Sequence, residues 1–342
     1  MSLKASTLLE SPDIYPLKFD GPNLVFVRMS RESYQNSIFT LPNRIIRDGA
    51  DAWTIPFTEI MNMVEQSGKS TPSPNVIFQI AHCGSTLLSR ALDHPGSSLV
   101  IREPFMLRQF SATLLPKNEV ENNARKRALR TIMFLLGRRY EDNETVLIKA
   151  NVPINYSIDE ILENAASLKG VLLFSGFENY LVAVLKSEER CMWAKHVVRE
   201  LANHIRSIQE FSGVDISSLD SAQSAAILWL SQIHIYNSAI ENKQIKSLDS
   251  EQFYSNPQRV LRDTAEHLEI NINKKRLETI TGSDLFTRHA KNPEMEYSEQ
   301  QRQNDLSELS ARFEDKIKQT KAWCEANNYK TNLSLPKEKT LN

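Results

Sequence analysis

Val-Ile-Phe-Gln-Ile-Ala-His-Cys-Gly-Ser-Thr-Leu-Leu-Ser-Arg-Ala-Leu, residues 76–92, reads as an apolar strand that runs through a tight turn into a helix. The helix opens on Gly84, Ser85 and Thr86. Unpaired backbone N–H groups and the positive end of the helix dipole converge at such a junction, and the two hydroxyls add side-chain donors. The stretch predicts a strand, a loop that holds a phosphate or sulfuryl group, and an α/β sheet around them.

What the loop lacks narrows the anion. An ATP-type loop carries a first glycine and a lysine that reaches the terminal phosphates, whereas Gln79 and Ser85 occupy those two places. A nucleoside triphosphatase is disfavoured. A cysteine phosphatase needs an arginine after five intervening residues, but six separate Cys83 from Arg90, and Leu87 and Leu88 stand where a solvated loop uses small or polar groups. That reading stays open only as a near miss centred on Cys83.

The loop resembles the 5′-phosphosulfate loop of the sulfotransferase superfamily, which reads basic-Ser-Gly-[ST]-[ST]-x-Leu after a strand and is followed by a glutamate. His82-Cys83-Gly84-Ser85-Thr86-Leu87-Leu88 matches it, Ser89 to Gly96 and Arg102-Glu103-Pro104 continue it, and Leu248 to Phe253 with Asn256-Pro257, Leu261 and His267-Leu268 resembles the family's late segment. The resemblance covers roughly residues 74–290. It implies a P-loop-type parallel sheet and 3′-phosphoadenosine 5′-phosphosulfate as donor. It assigns donor binding to His82, Cys83, Gly84, Ser85, Thr86, Leu87, Arg90 and Ser175, and catalysis to Glu103 and His82. As in the tyrosylprotein and related sulfotransferases, the glutamate would deprotonate the acceptor. Two departures stand in the element that holds the donor's 3′-phosphate, where Ser175 replaces an arginine and Ala183 a serine. Lys186, Arg190 or Lys195 could supply the missing charge.

Alternatives stay open at single residues. Glu103 is the acceptor's base, or it caps or pairs with Arg102 or Arg90. His82 contacts the transferred group or merely ends a strand. Cys83 at a helix start has a lowered pKa if exposed, or is a small apolar filler. Arg90 reaches a phosphate or bridges a carboxylate on a neighbouring helix. The basic run Arg125, Lys126, Arg127, Arg130, Arg138 and Arg139 lines an acidic-acceptor groove, or is the solvated face of a helix whose Leu129, Ile132, Met133 and Leu136 turn inward.

Composition bounds these readings. The 342-residue chain can bury a sizeable core, and its 41 basic and 42 acidic residues argue against a nucleic-acid partner or a polybasic membrane anchor. Three scattered cysteines suit a reducing compartment better than a disulfide framework or zinc cluster. No stretch approaches the ~20 apolar residues that span a bilayer, so the expected location is cytoplasmic. No metal is expected.

Along the chain, residues 1–73 read as an N-terminal extension and linker, 74–290 as the P-loop core and 291–342 as a C-terminal helical tail. The extension is expected to hold a strand near 24–27 and a helix over 53–66, with a flexible linker over 67–74. Strands near 76–80, 99–101, 145–149, 170–174 and 244–248 alternate with helices over 85–93, 118–139, 157–166 and 177–186, a buried helix over 219–241 and one starting at Asn256-Pro257. Repeated strand-helix units with continuous apolar strands imply a parallel sheet with helices on both faces. Residues 297–327 read as one polar helix carrying Leu306, Leu309, Phe313, Ile317 and Trp323. In such sheets the ligand lies beyond the strands' carboxyl ends, where His82 to Thr86, Arg102, Glu103, Lys149, Asn151 and Ser175 all fall. Two function classes follow: a sulfotransferase acting on a hydroxyl or amine of a small molecule or peptide, or a non-catalytic P-loop protein that binds a nucleotide or anion. The acceptor and the oligomeric state are not legible.

Overall fold

A computed structural model describes residues 4–45, 51–69, 73–165 and 167–341. Residues 70–72 of the expected linker lie outside them. The chain is an α/β protein. Strands β1 (Ile14–Asp20), β2 (Asn23–Arg28) and β3 (Ala52–Pro56) form one small sheet, and β4 (Asn75–Gln79), β5 (Ser98–Arg102), β6 (Thr145–Lys149), β7 (Gly170–Phe174) and β8 (Ile245–Asp249) form a five-stranded sheet in the order β5-β6-β4-β7-β8. The β4/β6 and β5/β6 pairs are parallel, as their almost uninterrupted apolar sequences require of strands covered by helices. Two compact units divide the chain: Met1–Phe78, Leu88–Gly170 and Thr264–Lys274 make the first, and Gln79–Leu87, Val171–Asp263 and Lys275–Asn342 the second.

In the first unit the antiparallel β1-β2-β3 sheet precedes the P-loop segment. Residues 53–55, expected as helix, belong to β3, and the helix runs Phe57–Ser67. Proline at 56 disfavours helical backbone in the residue before it, and β-branched and aromatic residues at 53–55 suit a strand pairing with β2. Arg102, at the end of β5, is buried. Its guanidinium meets Asp93 at 2.5 Å and donates to the carbonyls of Tyr34 at 2.8 Å and Ser37 at 2.9 Å. Thus Arg102 ties the N-terminal segment to β5, and the expectation that it faces a ligand is corrected.

The helix Glu119–Leu136 carries most of the basic run. Three of its cations are engaged within the unit: Arg125 with Glu160 at 2.8 Å, Lys126 with Glu163 at 3.1 Å and Arg127 with Glu65 at 2.8 Å. Arg138 departs from the expected solvated face. It is buried and donates to the carbonyls of Leu8, Ile14 at 2.7 Å and Leu135 at 2.7 Å. Burial pulls its pKa down to about 10, because desolvation disfavours the charged form.

In the second unit, β7 leads into helix Phe177–Leu185, and helix Ser221–Ala239 is buried over most of its circumference, as its sequence predicts. Asp220 and Gln223 close a capping box at its start. Trp229 donates its indole N–H to the Ser175 carbonyl at 2.9 Å and meets Phe177 edge-on. The residue after β7 is thereby fixed by a helix distant in sequence. The expected single helix over 297–327 is two, Glu299–Arg312 and Glu314–Ala326, interrupted at Phe313. Ile317, Thr320 and Cys324 of the second are buried, whereas no residue of the first is. A short antiparallel pair, β9 (Arg288–His289) and β10 (Asn292–Glu296), precedes them.

Candidate oxyanion site

Strand β4 ends at Gln79, whose side-chain oxygen accepts the Ala81 N–H at 2.6 Å. The chain then adopts left-handed backbone at Ala81 (φ 71°), His82 (φ 54°) and Gly84 (φ 81°) before entering helix Ser85–Ala91. Left-handed backbone costs a non-glycine residue roughly 1–2 kcal/mol, and such strain gathers at functional loops. Successive N–H groups turned this way form a concave cradle suited to an anion. Ser85 and Thr86 are buried at the helix start. The His82 ring stands edge-on to Trp193, with centroids 5.2 Å apart.

Cys83 is 1% exposed, with its sulfur 3.8 Å from both the Gln79 side-chain oxygen and the Leu173 carbonyl. It is the small filler of the two alternatives. A thiol so enclosed offers no nucleophile to a phosphate ester, and the phosphatase reading loses its residue.

A cavity of about 530 Å³ opens on this loop, lined by residues of the second unit. His82, Cys83, Gly84, Ser85, Thr86, Leu87 and Ser175 all line it, so seven expected donor-binding residues meet at one place. Ala183, Lys186 and Arg190 join them, whereas Lys195 is not among the lining residues. Lys186 pairs with Asp305 at 3.0 Å, and Arg190 donates to the Ala183 carbonyl at 2.7 Å. Burial pulls the Arg190 pKa down.

The hairpin residues Arg288, His289 and Lys291 also line the cavity. The His289 pKa is lowered by burial, and then by the charges of Lys291, Arg190 and Lys186. Three cations therefore act on one imidazole. The signal that could have marked these residues as a cation source is the string Arg288-His289-Ala290-Lys291 itself.

Sequence reasoning also missed Tyr254, Glu251, Glu299 and Arg302. Arg302 holds Glu251 at 2.6 Å and Glu299 at 2.7 Å. Its guanidinium carbon lies 4.1 Å from the Tyr254 ring centroid. Burial alone would lower the Arg302 pKa; hydrogen bonds to Glu299 and Glu251 override it and raise it.

Glu103 and Arg90 belong to the first unit. Glu103 follows β5 with left-handed backbone (φ 58°), and its N–H donates to the Lys149 carbonyl at 2.7 Å. Its carboxylate pairs with the Lys149 ammonium, which is buried and lies 4.9 Å from the Phe39 ring centroid. The expected alternatives paired Glu103 with Arg102 or Arg90; Lys149 holds it instead, because Asp93 takes Arg102. Arg90 is half-buried, which lowers its pKa, and its charge helps to depress that of Arg102.

Among the described residues, no group of three or more His, Cys, Asp or Glu side chains is placed to hold a metal ion, and no helix is long and apolar enough to cross a membrane.

No family model matches the chain, and no curated protein matches it. Solved structures similar to it include sulfotransferases. One from Alicyclobacillus acidocaldarius is 15% identical over 61% of this chain and 90% of its own, with a TM-score of 0.33. The sulfotransferase domain from the curacin biosynthetic pathway is 13% identical over 78% of this chain and 100% of its own, at 0.40. Sulfotransferase STF9 from Mycobacterium avium is 10% identical over 76% of this chain and 80% of its own, also at 0.40.

Proposed function

We propose that the cavity of the second unit binds 3′-phosphoadenosine 5′-phosphosulfate and that the protein transfers its sulfuryl group to a hydroxyl or amine of a small molecule or peptide. One observation carries the reading. The cavity is lined both by the cradle of residues 82–87 and by the cations Lys186, Arg190 and Lys291 around His289. A donor with an anionic group at each end matches two such sets, and the second set supplies the charge that Ser175 and Ala183 do not.

In the transfer, the acceptor oxygen or nitrogen attacks sulfur and the bond from sulfur to the 5′-phosphate oxygen breaks, releasing adenosine 3′,5′-bisphosphate. The Ser85 and Thr86 hydroxyls and the loop N–H groups are the donors that neutralise charge on the 5′-phosphosulfate. His82 is the side chain that the resemblance sets against the transferred group; protonated, it adds a charge-assisted hydrogen bond. The resemblance gives the acceptor's proton to Glu103.

Binding without transfer is the second reading, and the pairing of the Glu103 carboxylate with Lys149 favours it, since the ion pair engages the group that would take the acceptor's proton. Glu103→Ala separates the two: a transferase loses turnover and keeps donor affinity, whereas a binding protein has no turnover to lose.

The donor assignment itself is tested by titrating adenosine 3′,5′-bisphosphate and adenosine 5′-phosphate into Lys186→Ala and Lys195→Ala. Lys186→Ala weakens the bisphosphate about tenfold and spares the monophosphate, as loss of one charge-assisted contact requires, while Lys195→Ala changes neither. Equal effects of Lys186→Ala on both nucleotides would contradict the assignment of the 3′-phosphate.

A further inference from the structure

Gly84 sits beneath a tyrosine. A Cβ added to it would lie 2.6 Å from the Tyr254 hydroxyl oxygen and 3.0 Å from the ring carbon that bears it. The phenol therefore rests on the backbone of the cradle, and both residues line the cavity. Tyr254 belongs to helix Ser250–Ser255, and it is held there. Arg302 covers its ring at 4.1 Å, Glu251 of the same helix grips Arg302 at 2.6 Å, and Glu299 of the C-terminal helix grips it at 2.7 Å. Two carboxylates thus lock the guanidinium that fixes the ring.

The Tyr254 hydroxyl makes no hydrogen bond to any described residue. Burial raises its pKa, so it remains a neutral O–H across the physiological range and keeps a proton to donate. A phenol fixed over an anion cradle, with its donor uncommitted, differs from a ring that only packs. Packing would be served equally by phenylalanine, and the arginine clamp would hold either ring.

We propose that Tyr254 is a ligand-binding residue of the cradle, donating its phenolic hydrogen to an oxygen of the phosphate or sulfuryl group held by residues 82–87. The glycine at 84 is then required twice, by its left-handed backbone and by the closeness of the phenol. This assignment rests on the donor-binding reading for the nature of the ligand, but not for the presence of an oxyanion.

The test compares wild-type protein with Tyr254→Phe, which deletes only the hydroxyl, using adenosine 3′,5′-bisphosphate, inorganic pyrophosphate and adenosine 3′-phosphate in calorimetric titrations. Tyr254→Phe is expected to weaken the first two about tenfold, the worth of one hydrogen bond to a charged group, and to leave the third unchanged because it lacks the 5′-anion. The thermal midpoint should not move, which separates lost binding from lost structure. Unchanged affinity of Tyr254→Phe for both the bisphosphate and pyrophosphate would overturn the assignment. Tighter binding would also overturn it, by showing the phenol to be a plug that the ligand must displace. If wild type binds pyrophosphate, loses it in Tyr254→Phe and gains nothing from the adenosine, the donor reading falls and Tyr254 keeps its role. If wild type binds no oxyanion, both fall.

Discussion

Gly84→Ala should be unusually costly, and the structure separates the cost into two parts. The first is backbone strain: φ is 81°, a region that charges alanine roughly 1–2 kcal/mol. The second is steric. The new methyl would stand 2.6 Å from the Tyr254 hydroxyl, and the ring cannot swing aside without losing its contact with the Arg302 guanidinium, which Glu251 and Glu299 hold in place. Overpacking of this kind costs ~1–3 kcal/mol, so the sum is about 3 kcal/mol. Gly68→Ala is the control, since Gly68 is also left-handed (φ 59°) but has no atom within 4 Å of the added methyl. It should cost only the first part, roughly 1 kcal/mol. Urea unfolding followed by circular dichroism measures both. In the double variant Gly84→Ala/Tyr254→Phe the oxygen is gone while the ring carbon at 3.0 Å remains, so about 1 kcal/mol of the excess should return. Equal costs for Gly84→Ala and Gly68→Ala, or no coupling between positions 84 and 254, would refute the contact on which this reasoning stands.

Arg138→Ala leaves the carbonyls of Leu8, Ile14 and Leu135 without their donor, and should cost at least about 3 kcal/mol in the same unfolding assay, far beyond a surface arginine. His289 titrates below its ordinary value because of burial and the charges of Lys291, Arg190 and Lys186. Its unfolded form therefore takes up a proton first, and its contribution to stability falls as pH drops through the unfolded value. An anion bound among those cations would raise the folded pKa, so adenosine 3′,5′-bisphosphate should bind with proton uptake near pH 6, seen as a dependence of calorimetric heat on buffer ionisation; a buffer-independent heat would place the anion elsewhere.

How much of this was legible varies with what each residue reports about itself. Strand β7 and helix Ser221–Ala239 announce themselves because near-continuous apolar sequence leaves few other options, and the glycine, serine and threonine of residues 84–86 mark the loop by their own chemistry. Residues 53–55 misled because a run of mixed apolar and polar residues fits a helix until its pairing with β2 is known. Arg138 misled for a related reason: an arginine in a charged run looks solvated, and only the fold supplies the carbonyls that bury it. The interruption at Phe313 leaves no proline or glycine to read. Tyr254 was out of reach, since nothing near it in sequence says that it lies over Gly84. Likewise, of the cations that line the cavity beside Ser175, Lys186 and Arg190 lie near it in sequence, where spacing could nominate them, whereas only tertiary structure brings Lys291 to the same cavity. Glu103 was nominated by resemblance, but its partner Lys149 lies on the neighbouring strand of the sheet.

The central claim, that the cavity recognises a nucleotide carrying a 3′-phosphate as well as a 5′-anion, is tested most directly by calorimetric titration of the wild-type protein with adenosine 3′,5′-bisphosphate, adenosine 5′-phosphate and ATP. The account predicts micromolar binding of the bisphosphate and at least about tenfold weaker binding of the other two, the difference that one charge-assisted phosphate contact supplies. Equal affinity for all three, or no binding of the bisphosphate, would contradict it.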